Sequence, residues 1–292
     1  MLTTESIKTI LSKSLDLEID SLLETYEIKN NVGREVIDCK YSVAGRIEQC
    51  VLKAYHKGCD DDSELGVVRV ASKNFLASRD LNVRSIKIPK VFGIQLSDEI
   101  SCILMEKLDQ TQWVPENRIE AAEILARLHN VSLDSLSDNL QQLIQDSKPN
   151  RDRGRLGVTG RGKYLDAKFP GWRKRYPELS RNTDKIAGSV EPFSSMKTLV
   201  HGDYFSVNLI PTADGLYVID WDLLALGDPM WDLGFLVGAD NGVDREEFEE
   251  VVQIYKRTRS VVEQVLRWQV ECWNTLRELI KLMKKYGNQK ER

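Results

Sequence analysis

Residues 4–15 repeat hydrophobic positions at helical spacing: Ile7, Ile10, Leu11 and Leu15 fall on one face behind a Thr/Ser stretch, which predicts an N-terminal helix. The period then shortens. "YEIKNNVGREVIDCKYSVAGRIEQCVLKAY", residues 26–55, reads as short strands broken by turns at "NNVGR" and "AGR" and ending in the β-rich "IEQCVLKAY". In "CDDDSELGVVRVASKNFLAS" acids and Ser63 precede an apolar run at helical spacing. Carboxylates favour the positive end of a helix dipole, so a helix starts there. "IKIPKVFGIQLSDEISCILMEKLD", residues 86–109, predicts two strands around the turn "SDE".

The pattern changes near Gln110. "PENRIEAAEILARLHN" is a strongly amphipathic helix with Pro115 near its start and Ile119, Ala122, Leu125, Ala126 and Leu128 or His129 on its inner side. Polar helix continues over residues 132–147, and residues 243–286 are again helical. Residues 148–195 are dense in Gly, Arg and Pro punctuation and read as an insertion of short elements. These patterns predict an α+β chain in two lobes. Residues 1–105 form a small β-rich lobe, and residues 106–292 form a larger helical lobe carrying the insertion at about 148–195.

Composition removes several function classes. The chain has 292 residues, 41% of them hydrophobic and 29% charged, an ordinary globular balance. Its apolar runs fall short of a membrane span, and the N-terminus lacks the basic start of a signal peptide. Cys39, Cys50, Cys59, Cys102 and Cys272 are scattered, without a CxxC pair. They read as small buried thiols in a reducing cytoplasm, not as disulfides or zinc ligands. The net charge of −4 implies no general grip on nucleic acid. The charge is uneven, however. Residues 148–185 hold 12 Lys/Arg against 4 Asp/Glu, either a solvated basic face or a surface that attracts an anionic ligand.

The candidate chemistry lies in "HGDYFSVNLI", residues 201–210, and "VIDWD", residues 218–222. Asp and Asn are poor strand residues, yet Asp203, Asn208 and Asp220 sit beside apolar, strand-like runs. Their oxygens suit Mg²⁺, a hard cation commonly shared with phosphates. An Asn–Asp pair can hold that metal while Asp203 orients a hydroxyl, which is the division of labour in phosphoryl transfer. Lys53, flanked by apolar residues in "VLKAY", could supply a cation to the phosphates, fixed by Glu64 within the following helix.

On these residues the chain resembles the aminoglycoside phosphotransferase/choline kinase family of small-molecule kinases, which share the protein-kinase-like fold. "HGDYFSVN" resembles that family's HGDxxxxN catalytic loop, and "VIDWDLLALGDPMWDLG" its IDWxxAxxGDPxxDL segment. "ILMEKLD" is similar to its hinge, "EILARLH" to the helix before its insertion, and "IPKVFG" to a strand with a vPxv signature. The resemblance covers about residues 26–240. It implies ATP and Mg²⁺ as cofactors, Asp203 as the catalytic Asp, and Asn208 and Asp220 as metal ligands. It also implies phosphate contact by Lys53 paired with Glu64, and adenine contact by the backbone at Glu106 and Leu108, with Met105 just before them. His201 would brace the loop, and Asp228 and Asp232 would be structural supports.

The phosphate-covering loop should lie in "NNVGREV", which has one glycine, Gly33, and no GxGxxG. A protein kinase fits less well: the loop reads HGD, not HRD, and "IDWD" to "GDPMWD" leaves no room for an activation segment. The implied acceptor is a hydroxylated small molecule, with an antibiotic preferred through resistance or self-resistance. Choline or another amino alcohol, or a sugar, is the alternative, as is a non-catalytic nucleotide-binding pseudokinase. The acids of "DNGVDREEFEE" would suit a polycation, the arginines of the insertion an anion, and Trp268, Trp273 and Tyr255 could box a quaternary ammonium. Packing of those aromatics in a core is the plainer reading. No membrane or nucleic-acid partner is expected, and the sequence gives no oligomeric state.

Overall fold

The computed structural model describes residues 2–31, 33–57, 66–145, 147, 153–189, 192, 197–238 and 245–287. In chain order the elements are α1 (Thr4–Leu15), β1 (Ser21–Asn31), β2 (Arg34–Val43), β3 (Arg46–His56), α2 (Gly66–Asn82), β4 (Val91–Gln95) and β5 (Ile100–Glu106). Then follow α3 (Pro115–His129), α4 (Asp138–Gln145), α5 (Arg153–Lys168), α6 (Trp172–Arg175), α7 (Pro177–Gly188), β6 (Thr198–Val200), β7 (Leu209–Thr212) and β8 (Gly215–Val218). The last are β9 (Ala225–Gly227), α8 (Pro229–Gly238), α9 (Arg245–Lys256) and α10 (Glu263–Gly287). Packing groups them into two compact units. The first is Met1–Trp113, Ser132–Ser147 and Asn208–Leu224; the second is Val114–Val131, Lys148–Val207 and Ala225–Arg292. Residues 208–224 thus pack with the strand-rich part of the chain, whereas the expected division by chain order places them with the helices.

The first unit is built on an antiparallel sheet of order β1-β2-β3-β5-β4. Ala44 (φ 48°) and Gly45 (φ 74°) turn β2 into β3 between the paired Val43 and Arg46, the two positive φ values of a tight hairpin. Strand periodicity sorts β3 into two faces. Cys50, Leu52 and Ala54 join Cys102 and Leu104 of β5 in a core with Ile7, Ile10 and Leu11 of α1. Tyr55 of β3 and Ile103 of β5 lie on the opposite face, against Val67, Val70 and Ala71 of α2, with Met105 partly buried beside them. Lys53 shares that second face by register, paired with Ile103. A one-residue slip of β3 would turn Leu52 out of its core and drive Lys53 into it, so the apolar pattern fixes where the lysine points. Thr3 caps the N-terminus of α1, its Oγ1 accepting the Ser6 N–H at 3.1 Å.

The second unit is mainly helical. Its core gathers Val158 and Leu165 of α5, Trp172 of α6, Ile186 of α7, Trp231 and Phe235 of α8, and Cys272, Trp273, Leu276 and Leu279 of α10. The insertion differs from the expected run of short elements: α5 spans 16 residues and α7 spans 12. Its glycines predict breaks, since glycine costs about 1 kcal/mol in a helix. At least one serves packing instead. A Cβ at Gly162 would stand 2.8 Å from Thr183 Cγ2, so the missing side chain lets α5 approach α7. Cys39, Cys50, Cys102 and Cys272 are buried thiols outside any disulfide, as expected; Cys59 lies outside the described residues. Among the described residues, no helix is long and apolar enough to cross a membrane.

Candidate active site

In the first unit the chemistry centres on Lys53. Its side chain is 9% exposed, and its Nζ donates to Asp220 Oδ1 at 2.7 Å and to Asp222 Oδ1 at 2.9 Å. Burial pulls the pKa of this ammonium down, but the two carboxylates outweigh burial and hold it well above the usual lysine value. Asp220 lies just after β8 with left-handed backbone (φ 67°), a conformation Asp tolerates better than most residues. The next N–H, of Trp221, donates to Asn74 Oδ1 at 3.0 Å, so α2 fixes the turn. Asn208 immediately precedes β7, and its backbone carbonyl accepts the Ile219 N–H at 2.9 Å. That bond continues the β7–β8 ladder and ties the backbone of Asn208 to the residue before Asp220.

Asp222 was not anticipated. It is 4% exposed, and its Oδ1 also accepts Tyr55 OH at 2.8 Å and Asn74 Nδ2 at 2.6 Å, while Arg34 forms an ion pair with Oδ2 at 3.1 Å. The Arg34 contact is short enough for an ion pair but too poorly aligned for a hydrogen bond, so we read it as Coulombic. Burial, then the Asp222 charge, pushes the Tyr55 phenol well up, so it remains a donor. Two cations, Lys53 and Arg34, thus face two carboxylates. The one signal in the sequence is the second Asp of "IDWD", which looks like an ordinary turn residue until the turn at Trp221–Leu223 rolls it inward.

At the expected hinge, Met105 pairs with Val51 and Glu106 with Cys50. The Glu106 N–H donates to the Lys90 carbonyl at 2.8 Å, and its Oε2 accepts the Lys90 N–H at 3.1 Å. β5 ends at Glu106, so Leu108 lies beyond the ladder. Gly33, in the expected phosphate-covering loop, has φ 80° in the turn that joins the paired Asn31 and Arg34. Glu64 lies outside the described residues.

In the second unit the loop of Asp203 is held by its backbone. Asp232 of α8 is fully buried; its Oδ2 accepts the His201 N–H at 2.6 Å and its Oδ1 the Gly202 N–H at 2.9 Å. Gly202 has φ 83°, which explains the glycine of "HGD". His201 Nδ1 accepts the Asp203 N–H at 3.2 Å, so a neutral ring carries its proton on Nε2. Tyr204 OH donates to the Ala121 carbonyl at 2.9 Å. Asp228 caps α8, its Oδ1 accepting the Met230 N–H at 2.9 Å. His129 lies 3.3 Å from Asp232 Oδ2 through Nε2 and 2.6 Å from Tyr255 OH through Nδ1. Burial lowers the pKa of His129 despite the opposing pull of Asp232, so the ring is neutral and the contact with Asp232 is a hydrogen bond, not an ion pair.

The aromatic residues considered for a cationic substrate are packed. Tyr255 is fully buried on His129, Trp273 stacks on Phe235 at 3.9 Å, and Trp268 Nε1 donates to Ser189 Oγ at 3.3 Å. Part of the basic segment is neutralised internally, because Arg173 binds both Asp166 and Asp184. Residues 240–244 lie outside the described residues; of the acids that follow, Glu247 pairs with Arg118. Among the described residues no group of three or more His, Cys, Asp or Glu is placed to hold a metal. Magnesium needs no such cage, because it takes one or two protein oxygens and completes its shell with water and phosphate. The amide of Asn208 and the carboxylate of Asp220 are donors of that kind.

The Phosphotransferase enzyme family matches residues 51–269, well over half of the chain. Among solved structures, a spectinomycin phosphotransferase in complex with ADP and spectinomycin superposes with a TM-score of 0.65 at 16% identity, covering 97% of this chain and 87% of that one. Curated relatives include Acyl-CoA dehydrogenase family member 11 of Gallus gallus, 25% identical over 48% of this chain and 20% of its own length. Protein LicA homolog of Mycoplasma capricolum subsp. capricolum is 24% identical over 53% of this chain and 56% of its own length. The matches therefore span about a fifth and about half of those two proteins. With its α+β architecture, a sheet-bearing N-terminal region followed by a mostly helical part, the chain has a kinase-like fold and belongs to the phosphotransferase enzyme family.

Proposed function

We propose that this chain is an ATP- and Mg²⁺-dependent kinase that transfers the γ-phosphate to a hydroxyl of a small molecule. The observation that carries the proposal is the buried Lys53, held between Asp220 and Asp222 in the unit that also contains Asn208. A lysine in the middle of a sheet, kept charged by two acids, is costly to build and suits a phosphate ligand. In this reading residues 1–105 form the nucleotide-binding lobe, and residues 106–292 carry the catalytic loop and an acceptor-binding insertion. The adenine edge meets the backbone at Glu106 and Leu108 beside Met105, and Lys53 donates to the α- and β-phosphate oxygens, with Glu64 as its expected helix partner. Asn208 and Asp220 would hold Mg²⁺, which supplies charge neutralisation on the phosphates.

Asp203 accepts a hydrogen bond from the acceptor hydroxyl and aims its oxygen at the γ-phosphorus. It takes the proton as the new O–P bond forms and ADP departs with the bridging oxygen. Its aim depends on a fixed loop, and the bonds from Asp232 and His201 supply that rigidity. An antibiotic is the preferred acceptor class, supported by the likeness to a protein solved with spectinomycin. The burial of Tyr255 and Trp273 weighs against an aromatic box for choline. The buried thiols and the proposed use of ATP fit a cytoplasmic enzyme.

The test is to incubate the protein with MgATP and a panel of aminocyclitol, aminoglycoside and macrolide antibiotics, choline, ethanolamine and amino sugars. Mass spectrometry then reads which compound gains one phosphate. A product from at least one class is expected. ATP binding with no product from any class would favour the pseudokinase.

A further inference from the structure

We infer that Asp222 is the positioning residue for Lys53, doing from the "IDWD" turn what a helix carboxylate was expected to do. This rests on the reading of Lys53 as a phosphate ligand. Lys53 has two carboxylate partners among the described residues, and they differ in kind. Asp220 is 22% exposed in its side chain and is the proposed metal ligand, so a bound cation would draw on the carboxylate that now receives Lys53. Asp222 is 3% exposed in its side chain and is fixed from two further elements, by Tyr55 of β3 and Asn74 of α2. When Asp220 turns to a metal, Asp222 is the partner that remains.

α2 supports the assignment. Its one carboxylate among residues 66–82 is Asp80, near the far end, and that group accepts the Ser137 N–H at 2.7 Å and Arg79 Nε at 3.1 Å. The helix instead presents Asn74, whose amide nitrogen donates to Asp222 and to the Val70 carbonyl while its oxygen receives the Trp221 N–H. α2 therefore acts on Lys53 through an amide and the Asp222 turn. Arg34, directly after the Gly33 turn, is tethered to the other oxygen of the same carboxylate. Asp222 thus gathers one cation from β3 and one from the start of β2. A ligand with adjacent phosphates can recruit Lys53 from Asp220 without unseating it from Asp222.

The test compares ADP with adenosine, because their affinity ratio isolates the phosphate contacts. Calorimetry on the full chain, with EDTA and again with Mg²⁺, would be run on wild type, Asp222→Asn, Lys53→Met and the double variant. Wild type should prefer ADP. Asp222→Asn should narrow that preference by about tenfold, as loss of a charge-assisted bond would, and leave adenosine affinity unchanged. Lys53→Met should narrow it similarly, and the double variant no further, because one residue acts through the other. Tyr55→Phe removes a donor to Asp222 without changing charge and should narrow the ratio by a smaller factor. If Asp222→Asn fails to fold, that variant decides. A ratio narrowed by Lys53→Met but unmoved by Asp222→Asn, or by Tyr55→Phe in its stead, overturns the inference and leaves the kinase reading standing. A wild type with no preference for ADP, or a ratio that Lys53→Met leaves unchanged, overturns the reading of Lys53 and the inference with it.

Discussion

Asp222 and Asp232 are both buried carboxylates, one in each unit, and their charges are satisfied by opposite means. Asp222 receives two cations, a phenol and an amide. Asp232 receives two backbone N–H groups and a neutral imidazole. Ion pairs between side chains can rearrange around a ligand without moving the backbone, as when Lys53 leaves Asp220 and stays on Asp222. Groups satisfied by the backbone cannot move without moving the chain. The first arrangement suits binding of phosphates, and the second suits holding a loop still.

The strongest challenge to this contrast is Asp232→Ala. It leaves two buried N–H groups and His129 without their acceptor and should lower the unfolding free energy by roughly 3 kcal/mol or more. Urea titration measures it, and a loss under 1 kcal/mol would show that the loop is held elsewhere. Asp220→Ala should act on the ligand: the gain in ADP affinity on adding Mg²⁺ should shrink by about tenfold. An unchanged Mg²⁺ dependence in calorimetry would remove Asp220 from the metal site.

A smaller, pH-dependent effect belongs to the second unit. Burial depresses the pKa of His129 in the folded state below the unfolded value of about 6.5. The unfolded chain therefore takes up this proton first as pH falls. The contribution of His129 to stability is full above about 6.5 and is lost as pH falls through the folded value. The thermal midpoint should drop on acidification from neutral pH, and the drop should flatten in His129→Gln. Equal slopes for the two proteins would mean that another group governs the acid side. The smallest effect is expected at Arg245, whose ion pair with Glu249 is solvent-exposed: Arg245→Ala should leave the urea unfolding midpoint unchanged. A shifted midpoint would show that surface pairs matter here more than the buried networks imply.

The sheet was legible because its residues obey a period of two with turn residues between. The same alternation placed Lys53 on a face, since the apolar residues beside it had to point the other way. The expected hinge strand and the loop at Asp203 were legible from motifs. Asp222 was not, because its role depends on a turn that brings it to residues 148 and 169 positions away. His129 was legible only as the lining of a helix, because its partner Tyr255 lies 126 residues further on. The length of α5 was hidden for a different reason. Propensity counts its glycines against a helix, and only the close approach of α7 at Gly162 shows the use of one of them. Glu64 lies outside the described residues, so the helix partner expected for Lys53 stays a proposal.

We propose that the loop braced by Asp232 and His201 presents Asp203 to an acceptor hydroxyl. The most direct test is the steady-state turnover of Asp203→Asn on the phosphorylated acceptor, with the nucleotide dissociation constant measured on the same preparation. Turnover should fall by about 100- to 10,000-fold, the range for loss of a positioned proton acceptor, while nucleotide affinity stays within about twofold. Near wild-type turnover with intact nucleotide binding would contradict the account and send the search for the hydroxyl-orienting group elsewhere in the chain.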